Sequence, residues 1–273
     1  MGQFSKTDRR VLIRQGKPIE ELGLTFYPIQ MFHYEEFLMC KDALTLRLST
    51  LPVKYAVKDY LNAIFALEID SVKDKGENVG LFTRIIILFM LSLRIEGDIK
   101  EFISKQIKFR KIGKTDFEID RIVMKQEDKT VEIKAKDFST RLRKLIAEQN
   151  GVELPEEDLN IELVKGQQEL GELNGSKIKL NTSTESLISS VAYNSKVSER
   201  EIDEWTIREF ENRRKAIERD KKYTLYSQAE LSGMVTFKKG NPFPSWCYDS
   251  IDESMGTMTT SALAKQNGNV ETK

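Results

Sequence analysis

Four groups of side chains in this sequence are of the types that do chemistry, and each can be set against the spacing its reaction needs. Gly113-Lys114-Thr115 matches the end of a phosphate-binding loop, but position 108, where that motif needs its first glycine, is lysine. Without that glycine the backbone amides cannot wrap a phosphate, and a turn between two strands is the plainer reading. His33 is the only histidine, so a Ser–His–Asp triad or a histidine zinc site has no other residue to use, and neither has its partners in place. Glu35-Glu36 and Glu156-Glu157-Asp158 supply carboxylates in runs of the kind that usually form solvated faces. Cys40 and Cys247 lie far apart with no spaced partners, which suggests neither a disulfide framework nor a zinc site and fits a reducing cytosol. The expectation is a protein without a catalytic set, cofactor or metal.

Charge excludes another class. Lys+Arg and Asp+Glu both number 43, whereas nucleic-acid affinity comes mainly from neutralising phosphates. The one rival signal is residues 198–222, which have the layout of a helix-turn-helix. Between Glu201 and Lys222 the bases are Arg208, Arg213, Arg214, Lys215, Arg219, Lys221 and Lys222, against Glu201, Asp203, Glu204, Glu209, Glu211, Glu218 and Asp220. Seven against seven, interleaved at helical spacing, makes surface ion pairs rather than a phosphate-facing stripe. No nucleic-acid partner is expected.

The elements around these residues are mostly helical. Residues 1–21 are polar and basic apart from Val11-Leu12-Ile13 and are expected to form an extended arm, bounded as a part of the chain at 1–20. Residues 24–29 suggest an extended segment ending near Pro28, and Tyr34, Phe37, Leu38, Leu44 and Leu48 two helical stretches. Residues 53–67 place Ala56, Tyr60, Ala63, Ile64 and Leu67 on one face after Pro52, predicting one helix. Residues 81–95 are the most apolar run, bounded by Arg84 and Arg94 and expected to end at Gly97. That run falls short of the ~20 residues a bilayer requires, so a buried central helix is expected and no membrane partner.

The period then changes. Residues 106–112, 117–124 and 130–135 alternate apolar and polar, predicting an antiparallel meander with one wet face. Asp137 is placed to cap a following helix with the stripe Phe138, Leu142, Leu145 and Ile146, ending at Asn150-Gly151. The fold class expected is α+β, mainly helical, with a small meander in the middle. Its parts are a helical part at 21–100, meander plus helix at 101–151, a linker at 152–184, a C-terminal helical part at 185–250 and a flexible tail at 251–273.

Residues 201–248 hold both tryptophans and the best punctuated helix. Ser198 with Glu201, and Thr206 with Glu209, have capping-box spacing. Ile207, Phe210, Arg214 and Ile217 form a stripe, a shorter helix is expected to end at Gly233, and a strand-like 234–238 leads into Asn241-Pro242-Phe243-Pro244-Ser245-Trp246. Such residues pack and dock.

The pattern W-T-I-R-E-F, a charged helix, A-E-L-S-G-M-V-x-F-K and a final P-S-W-C-Y resembles the bacteriophage tail assembly proteins described as tail assembly chaperones or baseplate hub assembly proteins. Phe26-Tyr27-Pro28-Ile29 leading to Tyr34-Glu35-Glu36-Phe37, and R-L-R-K-L-I-A-E-Q-N-G at 141–151, are similar to the same family. The chain departs from that pattern at Ser245, where a histidine would precede the final tryptophan. The resemblance implies a non-enzymatic chaperone in the host cytoplasm, whose partners are phage tail proteins, above all the tape-measure protein. The alternative it implies is a structural baseplate or tail component retained in the virion. Trp205, Phe210, Phe237, Phe243 and Trp246 are the candidate partner-binding residues, each with closing of the core as its plainer role.

Overall fold

The computed structural model describes residues 6–75, 80–112, 116–126, 129–155, 182–233 and 241–248. The fold is α+β and mainly helical, with one two-stranded and one three-stranded antiparallel sheet among the described residues. The chain divides into two compact units. The first is Met1–Glu157 with Asp203–Arg208, the second Asp158–Ile202 with Glu209–Lys273.

The first unit opens with a helix, α1 (Lys6–Arg14), not the extended arm expected, and Ile13 is buried. Val11-Leu12-Ile13 were the apolar residues that the polar surroundings obscured. Arg9 on α1 pairs with Glu21 at 3.6 Å and Glu148 at 3.0 Å, so the helix is held partly by ions. Strands β1 (Ile19–Glu21) and β2 (Leu24–Phe26) form a hairpin in which Ile19, Leu24 and Phe26 are buried.

Two short helices follow, α2 (Tyr34–Cys40) and α3 (Asp42–Thr45). The helix expected over residues 53–67 is two, α4 (Val53–Ala56) and α5 (Tyr60–Lys75). Asp59 explains the break: its carboxylate accepts from the Asn62 backbone N–H at 3.1 Å, starting a new helix. The apolar helix α6 (Leu81–Leu93) begins at Gly80, which has no side chain to cap it. Glu68 of α5 substitutes, accepting from the Phe82 N–H at 2.8 Å. Helix α6 ends at Arg94, not Gly97; Arg94 takes the left-handed conformation (φ 55°) and Ile95 N–H returns to Met90 O at 3.0 Å. Stacking of Arg94 over the Tyr27 ring, 4.2 Å to the centroid, helps offset the strain of that φ in a non-glycine residue. Phe89 is the hub of the core, with Phe26, Phe102 and Phe138 at 5.9, 6.3 and 5.4 Å between centroids.

After α7 (Ile99–Gln106) the meander follows as β3 (Ile107–Ile112), β4 (Asp116–Gln126) and β5 (Lys129–Lys134), in that spatial order. Simple alternation fails in β4. Lys108 pairs with Arg121 but Phe109 with Ile119, so Asp120 is an extra, bulged residue. The bulge shifts the period by one, which puts Ile119, Ile122 and Met124 all in the core. Asn62 of α5 clamps this point: its Oδ1 accepts from Ile119 N–H at 2.7 Å and its Nδ2 donates to Ile119 O at 3.2 Å. A side-chain amide thus does the work of a neighbouring strand.

The following helix starts at Ala135, with α8 (Ala135–Asp137), a π turn (Phe138–Leu142) and α9 (Arg143–Gln149) running on. Asp137 lies inside it and makes no cap hydrogen bond, which corrects the expected start. Phe138, Leu142, Leu145 and Ile146 are all fully buried, as their spacing requires.

In the second unit, α10 (Thr184–Ser195) is capped by Ser183, whose hydroxyl accepts from Ser186 N–H at 3.1 Å. Ser198 Oγ accepts from Glu201 N–H at 3.3 Å ahead of α11 (Glu199–Asp203). Instead of two helices before Gly233 there is one, α12 (Ile207–Leu231). Nothing in its sequence breaks it, and Glu209–Arg213, Glu211–Arg214, Arg214–Glu218 and Glu218–Lys222 pair along its surface. Gly233 beyond it is left-handed (φ 69°), as an end signal should be. The expected linker lies for the most part, and the strand at 234–238 and the tail at 251–273 entirely, outside the described residues. None of the described helices is long and apolar enough to cross a membrane.

Candidate docking site

Two constellations bring together residues singled out in the sequence. The first is a buried junction in the first unit, made by the strap of residues 26–31. Tyr27 N–H donates to Ser92 O at 2.7 Å, at the end of α6. On the α9 side, Gln149 Nε2 donates to Phe26 O at 3.1 Å and Ile29 N–H to Asn150 Oδ1 at 2.9 Å. Gln30 and Thr206 then form an antiparallel bridge, Ile207 N–H donating to Ile29 O at 2.9 Å and Met31 N–H to Trp205 O at 2.8 Å. Residues 26–31, Gln149-Asn150 and 205–207 therefore meet at one place.

Gly151 suits the junction by its positive φ rather than by lack of room. Its φ of 71° closes α9, Val152 N–H returning to Ala147 O at 2.9 Å, and a Cβ there would stand 3.4 Å from Arg208 Cγ. Arg208 in turn donates to Glu148 O at 2.6 Å. The hydrogen bonds named here all hold backbone, while Gln149 Oε1 and Arg208 Nε are buried without a hydrogen-bond partner among the described residues. The junction joins segments of the first unit.

The second constellation lies in the second unit, on the last turns of α12 and residues 241–248. Asn241 Oδ1 accepts from Phe243 N–H at 2.9 Å, and Ser245 Oγ accepts from Cys247 N–H at 3.1 Å. These two side-chain turns, with φ fixed at Pro242 and Pro244, shape the segment without secondary structure. Phe243 meets Tyr226 edge-on at 4.7 Å between centroids and Tyr248 at 6.2 Å. Lys222 Nζ stands 5.7 Å from the Phe243 ring and the Arg219 guanidinium 5.9 Å from Tyr248. Trp246 is turned outward, 63% exposed. A hydrogen bond from Lys222 holds Glu218 below its ordinary carboxylate value and raises Lys222 itself, so both stay charged at neutral pH.

Of the five sequence candidates, Phe243 lies in this cluster and Trp246 is exposed on the same segment. Phe210 is fully buried, which makes it a packing residue and not an anchor. Trp205 is half-buried and enters the junction through its backbone carbonyl. Phe237 lies outside the described residues. Phe210 and Tyr226 are sixteen residues apart on α12, roughly 24 Å at 1.5 Å per residue; the candidates are not one patch. Sequence reasoning missed Tyr226, Arg219 and Lys222 as members. Their spacing of three and four along one helix face was the available signal, obscured by reading the helix as a charged surface.

The open groove of about 790 Å³ beside α4 and α8 is lined by Lys58, Asp59 and Arg143, among others. Lys58 pairs with Glu118, Asp59 caps α5, and Arg143 donates to Leu44 O and Leu46 O, so these charges are spent on structure. Burial pushes the Cys40 thiol up to about 11, which leaves it protonated at neutral pH. Among the described residues no three His, Cys, Asp or Glu side chains are grouped to hold a metal ion. No family model, curated protein or solved structure matches the chain.

Proposed function

We propose that this protein is a non-enzymatic assembly chaperone of a phage tail, which docks an apolar segment of the tape-measure protein on the platform of Tyr226, Phe243, Trp246 and Tyr248. The observation that carries the reading is Trp246, a large aromatic left exposed on a segment that prolines and side-chain turns hold in shape. Exposed aromatics that cost little entropy to present are the residues from which binding hot spots are made. The neighbouring cations suit a segment with acidic residues flanking its apolar face, and no ATP is needed if tube subunits later compete for the same face. The resemblance to tail assembly proteins supplies the partner.

The composition of purified particles tests the role. A chaperone acts in the infected cytoplasm and is absent from finished virions, or present only in trace. Stoichiometric presence in particles would reject it in favour of a structural baseplate or tail component.

A further inference from the structure

We infer that the outer edge of β3 is a second interaction surface, which accepts an extended partner segment of alternating acidic and apolar residues as an added strand. The inference rests on the first unit alone and does not depend on the aromatic platform. In the order β3-β4-β5, β3 is an edge, and β4 is the only strand paired with it among the described residues. An edge strand presents a row of backbone donors and acceptors ready to pair.

Charge and register define the occupant. Of the six residues of β3 only Ile107 is buried; Lys108, Arg110 and Lys111 are exposed and no acid is among them. Alternation puts Ile107 and Phe109 on the face covered by α5, where Phe109 stacks on Phe65 at 5.2 Å between centroids. Lys108 and Arg110 point to the opposite, wet face. Phe109 nevertheless keeps 42% of its surface exposed, and Phe117, across from Lys111, keeps 51%. A strand laid against this edge would extend the apolar face beside Phe109 with its own apolar residues and set acids opposite Lys108 and Arg110.

Other occupants fit less well. A second copy of β3 would bring like charges together, the usual way an edge is protected from itself. A nucleic acid would meet the acids of β4 directly behind: Asp116, Glu118 and Asp120, with Glu118 already 3.6 Å from Arg110 and paired with Lys58. The opposite edge, β5, carries Glu132 between Lys129 and Lys134 and has no such single sign.

The test uses the intact chain and three labelled probes: a blocked peptide alternating valine and glutamate, the same with lysine for glutamate, and oligothymidylate. The valine–glutamate peptide should bind, slow amide exchange in β3 and leave β5 unchanged. Reversing both wet-face charges with Lys108→Glu and Arg110→Glu should weaken that binding by roughly tenfold and create binding to the valine–lysine peptide. Equal binding of the two peptides by the unaltered protein, no slowing of β3 exchange, or preferential protection of β3 by oligothymidylate would each overturn the inference. The unaltered protein alone decides between the peptides, so a variant that fails to fold does not rescue the idea.

Discussion

Replacing Asn150 with alanine should destabilise the protein by about 2–4 kcal/mol, more than any surface change. Asn150 is 1% exposed and spans the junction, accepting from Ile29 N–H at 2.9 Å and donating to Ile146 O at 2.8 Å. Alanine removes both bonds and leaves the buried Ile29 amide without a partner. An unpaired buried donor costs about 1–3 kcal/mol because it lost its water on folding and gained nothing in return. The rest is the void left by the missing side chain. Asn150→Leu separates the two contributions, since leucine fills the void but cannot accept a hydrogen bond. Urea unfolding of the three proteins is the measurement. If Asn150→Leu is as stable as the parent, the strap is held by packing and the hydrogen-bonded junction is not what secures it.

On the proposed docking role, replacing Trp246 with alanine should weaken binding of the tape-measure protein by about 2 kcal/mol or more, roughly thirtyfold, while hardly moving the melting temperature. The two effects separate because the side chain is 63% exposed and has little folded packing to lose. On binding, the whole indole is removed from water, and the turns at Asn241 and Ser245 have already restricted the chain that carries it. Trp205→Ala should behave the other way. Its ring is half-buried beside the bridge that ties 205–207 to the strap, so its loss shows first in stability. Melting curves and a binding titration on both variants check the pair. Unfolding of Trp246→Ala, with binding retained at low temperature, would make the segment a plug for the core.

Legibility followed the physics of each signal. Helical stripes were plain where burial is one-sided: Phe138, Leu142, Leu145 and Ile146 all reach the core. The three meander strands were plain for the same reason, but the bulge at Asp120 was not, because its cause is the Asn62 amide of a distant helix. The break between α4 and α5 was visible in principle as Asp59 three residues before Asn62. The left-handed end at Arg94 was not, since glycine three residues later was the stronger local signal and tertiary stacking on Tyr27 supports the arginine. Among the candidate residues, composition identified aromatics but could not sort them. Phe210 is fully buried and Trp246 is 63% exposed, a difference that aromatic type alone does not encode.

Co-expression of the intact chain with the tape-measure protein tests the central claim most directly. The account predicts that the tape-measure protein, insoluble alone, is recovered in a soluble complex with the unaltered chain, and that Trp246→Ala, though folded, releases it. A tape-measure protein that stays insoluble beside the unaltered chain, or a complex indifferent to Trp246→Ala, would contradict it.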